Sequence, residues 1–173
     1  MVYVITGGPG FGKSVIIEKL HELGYQVGGE IARQIIEQQI AEGGTILPWK
    51  DVIEFEKRVI KERIEFLNSI NTHSIAFSDR GLPDQLAFSW YKGKAISHQL
   101  SLALEENRYA KKVFLTPPWR QIYRNDLIRT ETYEEAERIH QFIVDAYLKN
   151  GYELIELPFV STDHRIEFIL KSL

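Results

Sequence analysis

The stretch Gly7-Gly8-Pro9-Gly10-Phe11-Gly12-Lys13-Ser14 decides the fold of this 173-residue chain. It matches G-x-x-x-x-G-K-[ST], the pattern of a phosphate-binding loop, and we call residues 7–14 the phosphate loop. Its glycines permit positive φ and let backbone N–H groups approach phosphate oxygens closely. Lys13 is expected to reach the β- and γ-phosphates of a nucleotide, and the Ser14 hydroxyl to bind Mg²⁺. All eight residues are therefore candidate nucleotide contacts.

Strand and helix patterns alternate around this loop. An apolar, β-branched strand, Val2 to Thr6, leads into it, and a helix begins at Ser14. The other predicted strands are Tyr25–Gly29, Ser74–Ser78, Lys112–Thr116 and Tyr152–Leu157. The other predicted helices are Glu30–Ala41, Asp51–Ser69, Pro83–Tyr91, Ile96–Asn107, Thr132–Asn150 and a last one that Ser161 caps and that runs to Leu170. This order predicts an α/β fold with a five-stranded parallel sheet and helices on both faces. Ligands of such sheets bind beyond the carboxyl ends of the strands.

An acidic residue follows the third predicted strand. Asp79 comes directly after Ser78, where a carboxylate can hold Mg²⁺ opposite Ser14. Arg80 is a candidate contact to an anionic substrate or a phosphate. The simpler alternative is that Asp79 is a capping residue and Arg80 is solvated. Asp84 lies nearby, and N-capping of the helix near Pro83 explains it as well as a role in the site does.

A second acid stands beyond the second predicted strand. Glu30 could accept the proton of an attacking substrate hydroxyl, and Arg33 could hold a substrate anion. The two residues are three positions apart on one helix face, so a local ion pair explains them equally well. Both readings remain open from the sequence.

Arginines recur after the fourth predicted strand, which Pro117-Pro118 ends. We expect Arg124 and Arg129 to lie on a mobile lid that closes over the transferring phosphoryl group and excludes water. The alternative is an amphipathic helix whose arginines pair with acidic neighbours, namely Asp126, Glu131, Glu134 and Glu135.

Composition excludes several classes of protein. Hydrophobic residues make up 44% of the chain and charged residues 26%, which is typical of a globular protein. The absence of cysteine excludes disulfides and cysteine nucleophiles. A net charge of −3 argues against a nucleic-acid-coating protein. The histidines, His21, His73, His98, His140 and His164, are predicted at surface or capping positions rather than in a zinc site. We expect one domain over residues 1–173, no membrane span and a cytoplasmic location.

The order of these motifs resembles the NadR-like AAA-domain ATPase family. The resemblance comprises the phosphate loop, Glu30-Ile31-Ala32-Arg33, Asp79-Arg80-Gly81, the segment from Pro117 to Arg129 and the tail from Ile139 to Pro158. It implies a kinase-like P-loop fold with ATP and Mg²⁺ as ligands. By the same resemblance Lys13, Ser14 and Asp79 match the phosphate and metal positions, and Arg124 and Arg129 the lid arginines.

These observations predict an ATP- and Mg²⁺-dependent kinase acting on a small, possibly nucleoside-like metabolite. In this hypothesis Glu30, Arg33 and Arg80 contact the acceptor, and either Glu30 or Asp79 orients or deprotonates the attacking hydroxyl. The transfer is carried by Lys13, Asp79, Glu30, Arg124 and Arg129. The alternative is a nucleotide-binding ATPase or switch protein with a macromolecular partner. The sequence leaves the acceptor and the oligomeric state open.

Overall fold

The computed structural model describes residues 1–71, 73–124 and 131–173, in which five strands and seven helices alternate. The strands are β1 (Val2–Thr6), β2 (Gln26–Gly28), β3 (Ala76–Asp79), β4 (Lys112–Leu115) and β5 (Glu153–Glu156). The helices are α1 (Lys13–Glu22), α2 (Ile31–Glu42), α3 (Val52–Ser69), α4 (Leu82–Tyr91), α5 (His98–Glu106), α6 (Tyr133–Lys149) and α7 (Thr162–Lys171). Every element predicted from the sequence is present, with bounds that differ by at most two residues. Within the described ranges, no helix combines the length and the apolar character that crossing a bilayer requires.

The five strands form one parallel sheet in the order β2-β3-β1-β4-β5, which confirms the predicted fold class. Strand β1 is central: Val4 is in register with Ser78 of β3 on one side and with Val113 of β4 on the other. The carboxyl ends of these three strands therefore meet at one edge. Thr6, Asp79 and Thr116 lie at that edge, where a parallel sheet binds its ligands.

Alternating residues of the strands supply two cores, one on each face of the sheet. On one face Val2 and Val4 pack with helices α4 and α6, through side chains such as Leu86 and Ile139. On the other face Ile5 and Phe114 pack with α1 and α7. Fully burying an aliphatic or aromatic side chain of this size contributes about 1.5–3 kcal/mol, so both helical layers are held mainly by apolar burial.

A third apolar cluster joins α2 to α3 beside the sheet edge. Its buried members include Ile35, Ile36, Phe55 and Val59. The side chain of Asp51 caps α3 by accepting a hydrogen bond from the Glu54 N–H at 3.1 Å. These contacts hold α2 and α3 as a wall next to the carboxyl ends of β1 and β3.

Candidate active site

The phosphate loop joins β1 to α1 with the backbone that its glycines permit. Gly7, Gly10 and Gly12 have φ values of 137°, 80° and 82°, where residues with a Cβ are strained. A Cβ on Gly7 would lie 2.3 Å from Thr116 Oγ1, so the loop also needs glycine for close packing against the end of β4. Lys13 opens α1, and its Nζ donates to the Gly8 carbonyl oxygen at 2.7 Å. The ammonium group is thereby held within the loop, while Ser14 in the same turn is exposed.

Asp79 is the last residue of β3 rather than the residue after it, and it is 1% exposed. Among the described residues, no group lies within hydrogen-bond distance of its buried Oδ1. Burial is the main cause that raises the pKa of this carboxyl to about 6. Repulsion from Glu30 also raises it, whereas attraction to Lys13 lowers it. A buried carboxylate with an unpaired oxygen, close to the charges of Lys13 and Glu30, is the kind of group that active sites contain.

Mg²⁺ prefers hard oxygen ligands such as carboxylates and hydroxyls. Asp79 offers an unpaired carboxylate oxygen, and Ser14 offers a hydroxyl in the first turn of α1. Both residues offer the kind of oxygen ligand that suits the ion, so a Mg²⁺ site here stays a prediction; among the described residues, no group of three or more histidine, aspartate or glutamate side chains could hold a metal.

Asp84 is the centre of a buried hydrogen-bond network behind the loop. Its Oδ1 accepts from Thr6 Oγ1 at 2.6 Å and from Arg80 Nη1 at 2.8 Å. Its Oδ2 accepts from the Gly81 N–H at 2.8 Å and from the Tyr147 hydroxyl at 2.6 Å. Burial alone would raise the pKa of Asp84, but the charge of Arg80 lowers it below its usual range. Asp84 therefore helps to cap α4, but from the first turn of the helix: the N-cap residue is Gly81, and Asp84 accepts from its N–H. The same carboxylate connects β1, α4 and α6.

Arg80 adopts a left-handed backbone with a φ of 69°, which is uncommon for a residue with a side chain. The Ile5 carbonyl oxygen accepts from its N–H at 3.0 Å, and its own carbonyl oxygen accepts from Ser78 Oγ at 2.7 Å. Its guanidinium donates to the Gly7 carbonyl oxygen at 3.1 Å as well as to Asp84. Such over-determined backbone strain is concentrated at functional sites. The alternative of a solvated arginine is wrong, because Arg80 is buried and its guanidinium contacts the phosphate loop.

A cavity of about 590 Å³ lies between the phosphate loop and helices α2, α3 and α4. Glu30, Arg33 and Arg80 line it together with Pro9 of the phosphate loop. Glu30 Oε2 accepts from Arg33 Nε at 3.2 Å, so the local ion pair that the spacing suggested is present, on the wall of this cavity. The apolar part of the lining includes Ile36, Trp49, Val52, Phe55 and Phe88.

The segment after β4 packs on the phosphate loop through Tyr123. A Cβ on Gly10 would lie 2.5 Å from the Tyr123 ring, and that ring also stacks edge-on against Tyr133 at 5.4 Å. Arg124 is exposed and donates to the Gln121 and Tyr123 carbonyl oxygens, at 3.3 Å and 2.7 Å. Arg129 lies outside the described residues, so the lid role of both arginines stays a prediction.

Two other residues of this segment contact later parts of the chain. Arg120 pairs with Glu134 at 2.6 Å, which is one of the pairings that the amphipathic-helix alternative foresaw. Trp119 packs against Phe159 at 5.4 Å, and the Arg165 guanidinium stacks on it at 4.6 Å.

His140 belongs to the site, and the sequence prediction of a surface or capping position is wrong for it. This residue of α6 is 8% exposed, and its Nδ1 accepts from the Gly8 N–H at 3.3 Å. Burial, together with the charges of Lys13 and Arg80, lowers its pKa to about 4. The neutral ring can therefore accept this hydrogen bond at physiological pH. Gly8 and His140 are 132 positions apart in the chain, so no local sequence pattern could indicate their contact.

Solved structures with a similar fold include several kinases. Deoxyadenosine kinase from M. mycoides with bound dATP matches with a TM-score of 0.68 and 17% identity, over 99% of this chain and 98% of that chain. Thymidylate kinase from Ehrlichia chaffeensis matches with a TM-score of 0.64 and 15% identity, over 99% and 97%. NadR protein in complex with NR matches with a TM-score of 0.71 and 15% identity, over 98% of this chain and 50% of that chain. At these identities the matches show a shared P-loop kinase fold.

No curated protein matches the chain by sequence. A family model described as an AAA domain matches residues 2–165, which is nearly the whole chain. This match and the structural likeness to NadR confirm the family that the sequence motifs resembled. The protein, with its phosphate loop at the centre of a five-stranded parallel sheet, belongs to the AAA domain family.

Proposed function

We propose that this protein is an ATP- and Mg²⁺-dependent phosphotransferase acting on a small, nucleoside-like metabolite. The observation that carries the proposal is the cavity beside the phosphate loop, with Glu30, Arg33 and Arg80 on its wall. A protein that only hydrolyses or senses ATP has no need of a second site of this size beside its phosphate loop. The shared fold with nucleoside and nucleotide kinases supports a nucleoside-like acceptor. A cytoplasmic location and a single domain remain predictions from the sequence.

The phosphate loop is proposed to hold the triphosphate of ATP. Its backbone N–H groups and the positive end of α1 face the phosphate oxygens, and Lys13 exchanges the Gly8 carbonyl for a phosphate oxygen. Ser14 and Asp79 would hold Mg²⁺, which supplies positive charge beside the β- and γ-phosphates when bound. Asp79 is proposed for this role rather than for that of a base, because Glu30 lines the cavity whereas Asp79 is buried and is not among the lining residues.

Glu30 is proposed to orient the attacking hydroxyl and to accept its proton. Its carboxylate is fixed by Arg33 on the cavity wall, where an acceptor would lie between α2 and the phosphate loop. Arg80 keeps the loop in place through Gly7 while its side chain faces the acceptor. Arg124 and Arg129 are proposed to stabilise the transferring group when the segment after β4 closes. Positioning and electrostatic stabilisation of this kind account for most of the catalysis in phosphoryl transfer.

The proposal is tested by measuring ADP formation from Mg–ATP with and without a panel of nucleosides, nucleotides and small alcohols. Lys13→Ala serves as the blank, and Glu30→Gln tests the proton acceptor. ADP formation that rises with one acceptor, and that falls in Glu30→Gln without a change in ATP affinity, is the expected result. Slow turnover that no small molecule stimulates would contradict the proposal and favour the switch protein with a macromolecular partner.

A further inference from the structure

Arg63 is a buried cation on the cavity wall that the reaction proposed above does not use. It lies on the inward face of α3, is 2% exposed and lines the same cavity as Arg80. Within residues 1–71, 73–124 and 131–173, no acceptor lies within hydrogen-bond distance of its buried Nε or Nη1. A buried guanidinium costs several kcal/mol in desolvation unless partners compensate it, so this arrangement calls for an explanation.

The groups around Arg63 do not neutralise its charge. Asp84 is the acid whose pKa Arg63 helps to lower, but Asp84 is already hydrogen-bonded to Arg80 at 2.8 Å. One carboxylate is thus shared between two arginines. Burial raises the pKa of Tyr109 to about 12 and the pKa of Tyr147 well above its usual value, so both phenols stay uncharged.

The other acids of the cavity wall with described contacts have partners of their own. Glu30 pairs with Arg33 at 3.2 Å, and Glu56 accepts from Ser97 Oγ at 2.6 Å. Glu56 keeps its negative charge, as does Glu131, the third acid of the lining. Five basic residues stand against these three acids in the described lining, namely Arg33, Arg63, Arg80, Lys92 and Lys94. The cavity wall therefore carries an excess of positive charge, and Arg63 has N–H donors to spare. An oxyanion is the chemical group that complements both properties.

We propose that Arg63 binds a negatively charged oxygen group, a carboxylate or a phosphate, on the acceptor molecule. This inference rests on the proposed function, because it takes the cavity as the acceptor site. It narrows the substrate class from nucleoside-like metabolites in general to those that carry an acidic group in addition to the atom that is phosphorylated. Arg63 then acts as a binding residue that selects the acceptor by charge.

The test measures binding by calorimetry, without turnover, in the presence of Mg²⁺ and a non-hydrolysable ATP analogue that fills the phosphate loop. The probes form two series, and the members of each share a scaffold and differ in charge. The first is uridine, orotidine, which adds a carboxylate, and uridine 5′-monophosphate. The second is adenosine and adenosine 5′-monophosphate. A charged member is expected to bind about tenfold or more tightly than its neutral counterpart, as a charge-assisted hydrogen bond provides. Preference for orotidine identifies a carboxylate, and preference for a monophosphate identifies a phosphate.

The variants Arg63→Met and Arg63→Lys show whether Arg63 is the cause. Arg63→Met is expected to remove the preference without lowering resistance to urea, since an uncompensated buried charge is removed. Arg63→Lys is expected to keep part of the preference. Arg58→Met is the matched control, because Arg58 lies on the same helix and pairs with Glu62 at 2.9 Å. Equal affinity for charged and neutral probes in the wild-type protein, or a preference that survives in Arg63→Met, would overturn the inference. Either result with acceptor-dependent ADP formation intact leaves the proposed function standing.

Discussion

Replacing Asp79 by asparagine is expected to stabilise the ligand-free protein while it removes Mg²⁺-dependent nucleotide binding. The Asp79 carboxyl ionises near pH 3.8 in the unfolded chain and at about 6 in the fold, because it is buried. Each unit of pKa is worth about 1.4 kcal/mol, so ionised Asp79 lowers the free energy of unfolding by about 3 kcal/mol. Because the pKa is raised in the fold, this lowering of the free energy of unfolding is absent below about pH 4 and complete above about pH 6. The stability gained in Asp79→Asn should therefore grow from near zero at pH 4 to about 3 kcal/mol at pH 8.

Urea denaturation of both proteins in buffer with a chelator, between pH 4 and pH 8, measures this difference. For a chain of this size, 3 kcal/mol corresponds to a rise in Tm of roughly 6–12 °C. Mg–ATP should then raise the Tm of the wild-type protein and have little effect on Asp79→Asn. Asp145→Asn, on α6, is the control for removing a carboxylate outside the site. A variant that is less stable than the wild type at pH 8, or a difference that does not depend on pH, would refute the reasoning.

Three further predictions concern the surroundings of the phosphate loop. Asp84→Asn should lower the free energy of unfolding by about 3 kcal/mol or more in urea, because it leaves Arg80 without its charged partner. Below pH 6.5 the wild-type protein should lose stability, because the buried His140 ring stays neutral down to about pH 4 while the unfolded chain takes up a proton. His140→Gln should make this loss smaller, and urea midpoints at pH 5 and pH 8 measure the difference. Arg124→Ala should lower turnover with little change in ATP affinity. Steady-state kinetics measure the turnover and calorimetry the affinity, and an unchanged rate would contradict the lid assignment.

The opposite signs predicted for Asp79 and Asp84 follow from their partners. Both carboxylates are buried, at 1% and 0% exposure. Asp84 receives four hydrogen bonds, one of them from Arg80. Asp79 Oδ1 receives none from the described residues. Asp84 therefore contributes to stability, whereas Asp79 lowers the stability of the free protein and is available to a ligand.

The sequence was sufficient for the fold because its signals are local. An apolar β-branched strand followed by Gly7–Ser14 and a helical period determines the β1–α1 unit, and the same alternation recurs along the chain. The strand order was not predicted, since it depends on pairing between distant segments. The position of Asp79 was predicted because the carboxyl ends of neighbouring parallel strands meet at one edge.

The sequence was less informative where a contact joins residues that are far apart in the chain. Thr6 and Asp84 are separated by 78 residues, and Gly8 and His140 by 132. Neither contact has a local pattern. Arg63 was missed for a related reason: on a helix rich in charged residues it resembles a solvated arginine, and only the packing of α3 against α4 and the sheet shows that it is buried.

The transfer of the γ-phosphoryl group is the most direct test of the central claim. ATP labelled at the γ-phosphate is incubated with the protein, Mg²⁺ and the acceptor panel, and the labelled products are separated. We predict label on an organic acceptor, lost in both Lys13→Ala and Asp79→Asn. Label that appears only as inorganic phosphate, or that stays on ATP with every acceptor, would contradict a phosphotransferase built around this phosphate loop and its adjoining cavity.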